Sequence, residues 1–137
     1  MPRNIYDEDH EAFRSSVKEF VDRTLVPRAE SMIAEHSIPR EVWLEAGKQG
    51  FFGLTIPEEF GGAGIDDYRF NAILGEELAK FNAATSSCFG IHSDITAPYI
   101  VAMGTQEQKE RWLPQVATGE KILSIGMTEP SGGSDLA

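Results

Sequence analysis

From Ala83 to Met103 the chain carries a full charge only at Asp94. Ala83, Ala84, Ser86, Ser87, Cys88, Gly90, Ser93 and Ala97 are small, and Ile91, Ile95, Tyr99 and Ile100 are interleaved among them. A helix that is small or apolar nearly all round belongs inside a protein, among other helices or against a ligand. Its polar breaks leave no apolar run near the roughly 20 residues that span a bilayer. Pro98 lacks an N–H and would clash with the Asp94 carbonyl, so the helix must bend or loosen there. A chain with this segment at its centre is constrained to surround it.

The flanking sequence supplies amphipathic helices. Phe13, Val17, Phe20, Val21 and Val26 recur near the helical period, with Asp7 or Asp9 able to cap the start. Pro27 predicts a kink or break, with helix resuming through Ala34. Pro39 holds Ile38 extended, and a short helix from Arg40 to Gln49 ends at Gly50. Phe51 to Ile56 reads as a buried extended link, followed by the connector Gly61-Gly62-Ala63-Gly64. Asp66 is the expected cap of a helix to Phe81, burying Phe70, Leu74, Leu78 and Phe81. Thr105 and Gln108 have capping-box spacing, and a helix to about Ala117 follows, disturbed by Pro114.

One strand is expected, Lys121 to Thr128, followed by the polar Glu129-Pro130-Ser131-Gly132-Gly133-Ser134-Asp135. It has no partner strand in the chain, and an unpaired edge invites one. The fold class is therefore mainly α, with residues 1–120 a helical domain and 121–137 the start of a further β-domain. At 137 residues and a net charge of −10, a single domain has enough core without staples. The acid excess argues against nucleic acid and anionic membrane surfaces. The single cysteine excludes an internal disulfide, and no signal or transit peptide is seen, so a cytoplasmic, bacterial-type location is expected.

Most candidate sites have plain structural readings. His92-Ser93-Asp94 holds all three triad residue types, but consecutive helical residues diverge and cannot form that relay. His10, His36 and His92 lack metal-ligand spacing. Cys88 reads as a packing residue, Glu76-Glu77 as a solvated face, and Trp43 and Trp112 as core or interface anchors. The glycine connector lacks the pattern of a phosphate loop. The terminal stretch is stronger. A strand end offers a Thr hydroxyl and free backbone groups, and its glycines admit a bulky ligand. On the residues alone this stands level with an ordinary hairpin turn.

Gly126-Met127-Thr128-Glu129-Pro130-Ser131-Gly132-Gly133-Ser134-Asp135-Leu136-Ala137 resembles the first signature of the acyl-CoA dehydrogenase family. That signature is a strand ending in Ser/Thr-Glu, two residues, then small-Gly-Ser/Thr-Asp. Ile56-Pro57-Glu58-Glu59-Phe60-Gly61-Gly62-Ala63-Gly64 resembles the family's first glycine-rich connector. Gly104 to Lys109, Leu113-Pro114 and Thr118-Gly119-Glu120 resemble the helix and turn before its flavin strand. Phe89 to Ser93 and Pro98-Tyr99-Ile100 are most similar to long-chain-type members.

The resemblance implies an N-terminal helical domain and the first strand of a middle β-domain that is otherwise absent. It implies FAD as cofactor, acyl-CoA as substrate, trans-2-enoyl-CoA as product, electron-transfer flavoprotein as acceptor and a homo-oligomeric complete enzyme. It places Ile125, Met127, Thr128, Gly133 and Ser134 at the flavin, with Ser134 also near the thioester ligand. It places Ser87, Cys88, Ile91 and Ile95 on the floor of an acyl channel, and suggests a long or bulky acyl chain. The family's catalytic base lies on the C-terminal side, so no Glu here takes that role. The 137 residues alone are expected to be an inactive portion of the enzyme that binds FAD weakly or not at all. An acyl-CoA oxidase or flavin monooxygenase of the same fold, or a stand-alone helical interaction module, are the alternatives.

Overall fold

Asp7 starts the first helix. In a computed structural model, which describes residues 5–130 and 132–133, its carboxylate accepts from the His10 N–H at 3.2 Å and lies 2.6 Å from His10 Nδ1. This closes a reciprocal cap on α1, Glu8–Phe20. The expected break then appears as a change of winding. Val21–Leu25 is a π-helical turn in which Val26 N–H donates to the Val21 carbonyl, five residues back. A 3-10 turn, Val26–Arg28, carries Pro27, and α2 resumes over Ala29–Glu35. Helix α3 covers Arg40–Lys48, and Gly50 follows it with φ +79°.

The link from Phe51 to Ile56 forms no strand. It is held by N–H donors of the glycine connector: Ala63 to the Gly53 carbonyl at 2.8 Å, Gly64 to Ile56 at 2.9 Å and Ile65 to Leu54 at 2.7 Å. A β-carbon on Gly62 would lie 2.0 Å from the Ile56 carbonyl oxygen, so this position has no room for one. Helix α4 spans Arg69–Phe81. Asp66 does not cap it. Asp67 accepts from Arg69 N–H at 3.0 Å and grips the Arg69 guanidinium at 2.6 Å, a turn that only a side chain two residues before the donor can make.

The central segment divides into α5, Ala83–Gly90, a π turn over Ile91–Thr96, and α6, Ala97–Met103. Ala97 N–H donates to the His92 carbonyl, again five residues back. Both π turns precede a proline, Pro27 or Pro98, so the widened winding absorbs the bond that proline cannot make. The widening also explains which residues are buried. Thr85, Phe89, Ser93 and Ala97 are all buried and four apart. In a 3.6-residue helix such a row drifts about 40° at each step. A turn that winds less per residue brings it back to one line. Helix α7, Gln106–Ala117, has the expected Thr105–Gln108 box and contains Pro114.

The core lies between α1, α3, α4 and α5. Phe20, Trp43, Phe51, Phe52, Leu74, Leu78 and Phe89 form one cluster, with Phe52 and Phe89 edge-on at 4.8 Å. A second cluster joins Ile56, Phe60 and Ala97 to Leu113, Val116 and Ala117 of α7. Trp43 is a core anchor, whereas Trp112 is only half-buried, with the Arg111 guanidinium 4.7 Å over its ring.

Three further expectations fail. There is no strand among the described residues, and Lys121 to Thr128 runs without β-pairing, because a ladder needs a partner that the described residues do not provide. The central segment is not buried all round: Ser87, Cys88, Ile95, Tyr99 and Met103 are exposed. Cys88 is therefore not a core packing residue. Glu77 is not solvated either. It is 4% exposed and meets Arg14 Nη1 at 2.5 Å and Lys80 Nζ at 2.7 Å. Burial pushes its carboxyl up, but the bonds from Lys80 and Arg14 outweigh that and hold it below the ordinary glutamate value.

Candidate functional site

The open side of the central segment is one of two unfinished surfaces. Ser87, Cys88, Ile91 and Ile95 share it, as their spacing predicts, with Ile91 half-buried and the others exposed. Tyr99 and Met103 extend the stripe, with Ile95 45%, Tyr99 54% and Met103 78% exposed. The sequence reading missed these last two as parts of one face; their four-residue spacing from Ile95 was the available signal. A groove of about 430 Å³ reaches Ala84 and Cys88 from the Met32, Ile33 and Ile38 side. A second hollow of about 440 Å³ lies along Ile95, Pro98, Tyr99 and Met103. Exposed apolar side chains beside such hollows offer a place to lay an apolar chain or another packed element.

The second surface is the segment leaving α7. Its departure is fixed by four contacts. Gly119 turns at φ +72°, and a β-carbon there would lie 2.3 Å from the Trp43 carbonyl oxygen. Arg40 donates to the carbonyls of Gly119, at 2.6 Å, and of Glu120. Lys121 N–H donates to the Gln115 carbonyl at 2.9 Å. Leu123 N–H donates to His92 Nδ1 at 3.1 Å. Beyond Leu123, the backbone groups from Ser124 to Thr128 form no hydrogen bond with another described residue. Ile125 is half-buried, while Met127 and Thr128 are exposed.

Unpaired donors and acceptors alternating with apolar side chains suit a flat ring with polar edges, such as a flavin. The residues present therefore fit that cofactor. No described residue lies within 4 Å of where a β-carbon on Gly133 would sit, and Ser134 lies outside the described residues.

His92 does not join Ser93 and Asp94. Ser93 Oγ lies 3.0 Å from both the Phe89 carbonyl oxygen and Asp94 Oδ1, with one proton to share between them, while Asn71 donates to the same Asp94 oxygen at 2.6 Å. His92 turns to Val116 and Leu123 instead. Burial holds its pKa below the ordinary histidine value, against the opposing pull of the Val116 carbonyl. Sequence reasoning noted this residue but gave it no role; nothing local predicts contacts with residues 24 and 31 positions away. Among the described residues no three His, Cys, Asp or Glu side chains converge on a metal-sized site. Among the described residues no helix is long and apolar enough to cross a membrane.

Comparisons with known proteins agree with this geometry. The family described as acyl-CoA dehydrogenase, N-terminal domain, matches residues 7–120. The mitochondrial long-chain specific acyl-CoA dehydrogenase of Rattus norvegicus is 42% identical over 134 residues, covering 98% of this chain and 31% of that protein. Isovaleryl-CoA dehydrogenase of Solanum tuberosum is 31% identical over 96% of this chain and 32% of its own length. Among solved structures, acyl-CoA dehydrogenase from Geobacillus kaustophilus superposes with a TM-score of 0.91 at 36% identity, covering 98% of this chain and 35% of that one. An acyl-CoA dehydrogenase complexed with FAD from Bacillus anthracis gives 0.88 at 30% identity, over 99% of this chain and 23% of that one. The chain thus spans about a third of the length of the curated relatives it matches.

Proposed function

The chain belongs to the acyl-CoA dehydrogenase family, and from that membership we propose that residues 1–120 are the helical domain of an FAD-dependent acyl-CoA dehydrogenase and residues 121–137 begin its β-domain. The observation that carries this reading is the pairing of two unfinished surfaces on one scaffold. An apolar face on α5 and α6 lies open, and a segment with unused backbone groups departs from the same helical unit.

Ser87, Cys88, Ile91 and Ile95 line the acyl chain of the thioester and keep water from it. Ile125, Met127 and Thr128 hold one edge of the flavin through backbone groups and the Thr128 hydroxyl. Gly133 and Ser134 complete that contact near the thioester. FAD, when bound, supplies the hydride acceptor for α,β-dehydrogenation to the trans-2-enoyl product. The electron acceptor in turn is electron-transfer flavoprotein. No residue here is assigned as catalytic base, so 1–137 alone neither turns over substrate nor retains flavin at unit stoichiometry.

The small side chains of Ser87 and Cys88 support a long or bulky acyl chain. In the protein expressed from its complete reading frame, Ser87→Phe and Ile91→Phe should shift the preferred acyl chain to shorter lengths, read as kcat/KM across a series of acyl-CoA substrates. An unchanged profile in both variants removes the channel assignment. Absence of acyl-CoA oxidation and of bound flavin in the unmodified protein removes the functional reading itself.

A further inference from the structure

His92 is fully buried in the π turn, 0% exposed, and both of its ring nitrogens are engaged. Nε2 lies 3.1 Å from the Val116 carbonyl oxygen at the end of α7. Nδ1 lies 3.1 Å from the Leu123 backbone nitrogen in the segment that leaves it. The partners decide the tautomer. A carbonyl can only accept, so Nε2 carries the proton, and a backbone N–H can only donate, so Nδ1 is bare. Trp43 and Phe52 clamp the ring edge-on at 5.5 and 4.5 Å, which fixes its rotation.

We infer that His92 is a positioning residue for flavin binding: its Nε2-protonated imidazole ties the central helix to α7 and sets the path on which Ile125, Met127 and Thr128 are presented. Leu123 is two residues before Ile125, and its bond to His92 is the last to another described residue before the open backbone groups. Arg40 and Gly119 fix where the turn leaves α7, but neither holds the chain beyond Glu120. Lys121 N–H donates to the Gln115 carbonyl and the Leu123 side chain packs on the α7 cluster, and beyond these His92 supplies the last directional bond before the segment runs open. The inference rests on the flavin assignment of residues 125–128 proposed above.

Two substitutions separate the ring's two bonds. His92→Asn keeps an acceptor near the Nδ1 position and loses the donor to Val116. His92→Gln keeps a donor near Nε2 and loses the acceptor for Leu123. In the protein from the complete reading frame, hydrogen exchange at the Leu123 amide in the flavin-free form should quicken about five- to tenfold in His92→Gln, the scale of one net hydrogen bond. It should stay within about twofold of the parent in His92→Asn. FAD dissociation constants should rise in the same order, and thermal midpoints should not predict them. Equal effects of the two variants on Leu123 exchange overturn the positioning role, as does an Nδ1-protonated ring in the ¹⁵N spectrum of the unmodified protein. That spectrum decides even if one variant fails to fold. If Leu123 exchange responds as expected but neither FAD affinity nor the effect of Thr128→Val on it changes, the flavin assignment of 125–128 is what fails, and the inference falls with it.

Discussion

Removing Arg14 should cost more than an arginine on a helix surface usually does. Its Nη1 lies 2.5 Å from Oε1 of Glu77 and 3.2 Å from Oε2 of Glu76. The Glu77 side chain is 3% exposed and that of Arg14 11%. Burial opposes the Arg14 charge, but its bonds to Glu77 and Glu76 outweigh that and hold its pKa above the ordinary value. In Arg14→Met the buried carboxylate keeps only Lys80, whose side chain is 63% exposed. Breaking a buried pair from one side costs about 3–5 kcal/mol, and the remaining lysine places this case near 3 kcal/mol. Glu77→Met should cost less, because Arg14 retains Glu76 and Glu11, the latter at 3.4 Å. The double variant should recover to within about 1 kcal/mol of the parent, since no uncompensated charge is left inside. Urea unfolding at pH 7 reads all three. A slope of about 1.5 kcal/mol per molar turns 3 kcal/mol into a midpoint shift of about 2 M. Acid should narrow the gap between parent and Arg14→Met. Glu77 has a folded pKa below its unfolded 4.5, so its contribution is present above that value and is lost as pH falls through the folded one. An Arg14→Met loss under about 1 kcal/mol, or strictly additive singles, would refute the buried-pair reasoning.

Two further outcomes follow from the turn at α7 and from His92. Gly119→Ala should lose the roughly 1–2 kcal/mol of a left-handed backbone plus the displacement of the Trp43 carbonyl. Gly50→Ala, at φ +79° with nothing within 4 Å, should lose only the backbone part, so equal urea midpoints for the two would contradict the contact. His92 has a folded pKa below its unfolded 6.5, so the unfolded chain takes up a proton first as pH falls. Stability should then decline below about pH 6.5 by up to about 1.4 kcal/mol per unit. His92→Asn should remove that share of the slope, and an unchanged slope would show that His92 titrates normally.

What could be read from the sequence was what short range decides. Asp7 and Thr105 cap because their partners are three residues away. Gly50 and Gly61 adopt positive φ because the chain must turn there. The Phe51 to Ile56 link was legible from its length and its flanking Gly and Pro. Glu77 was not legible: its pattern is that of any exposed helical glutamate until Arg14, 63 residues away, folds onto it. The Asp66 cap was not legible as wrong from sequence, since Asp66 and Asp67 both precede the helix and only the Arg69 contact shows that Asp67 makes the turn. The strand failed because β-pairing belongs to two segments and the sequence pattern describes one. For the site, shared placement of Ser87, Cys88, Ile91 and Ile95 on one face was legible from helical spacing. Its openness was not, because apolar side chains alone do not say which neighbour covers them. His92 was hidden for the same reason as Glu77.

The widened turn at Ile91–Thr96 has a consequence for how related sequences are aligned. It holds more residues per turn than ordinary α winding while returning Phe89, Ser93 and Ala97 to the same side. A relative that winds this stretch as plain α-helix must omit about one residue between Phe89 and Ala97 to keep both ends in register. The gap then belongs inside the helix, where alignment procedures penalise it, and not in the loop after Met103. Moving it to that loop would leave Ser87 and Cys88 correctly matched but shift Ile95, Pro98 and Tyr99 by one position. The lining positions proposed above, transferred across such an alignment, would then be wrong only on the far side of the turn.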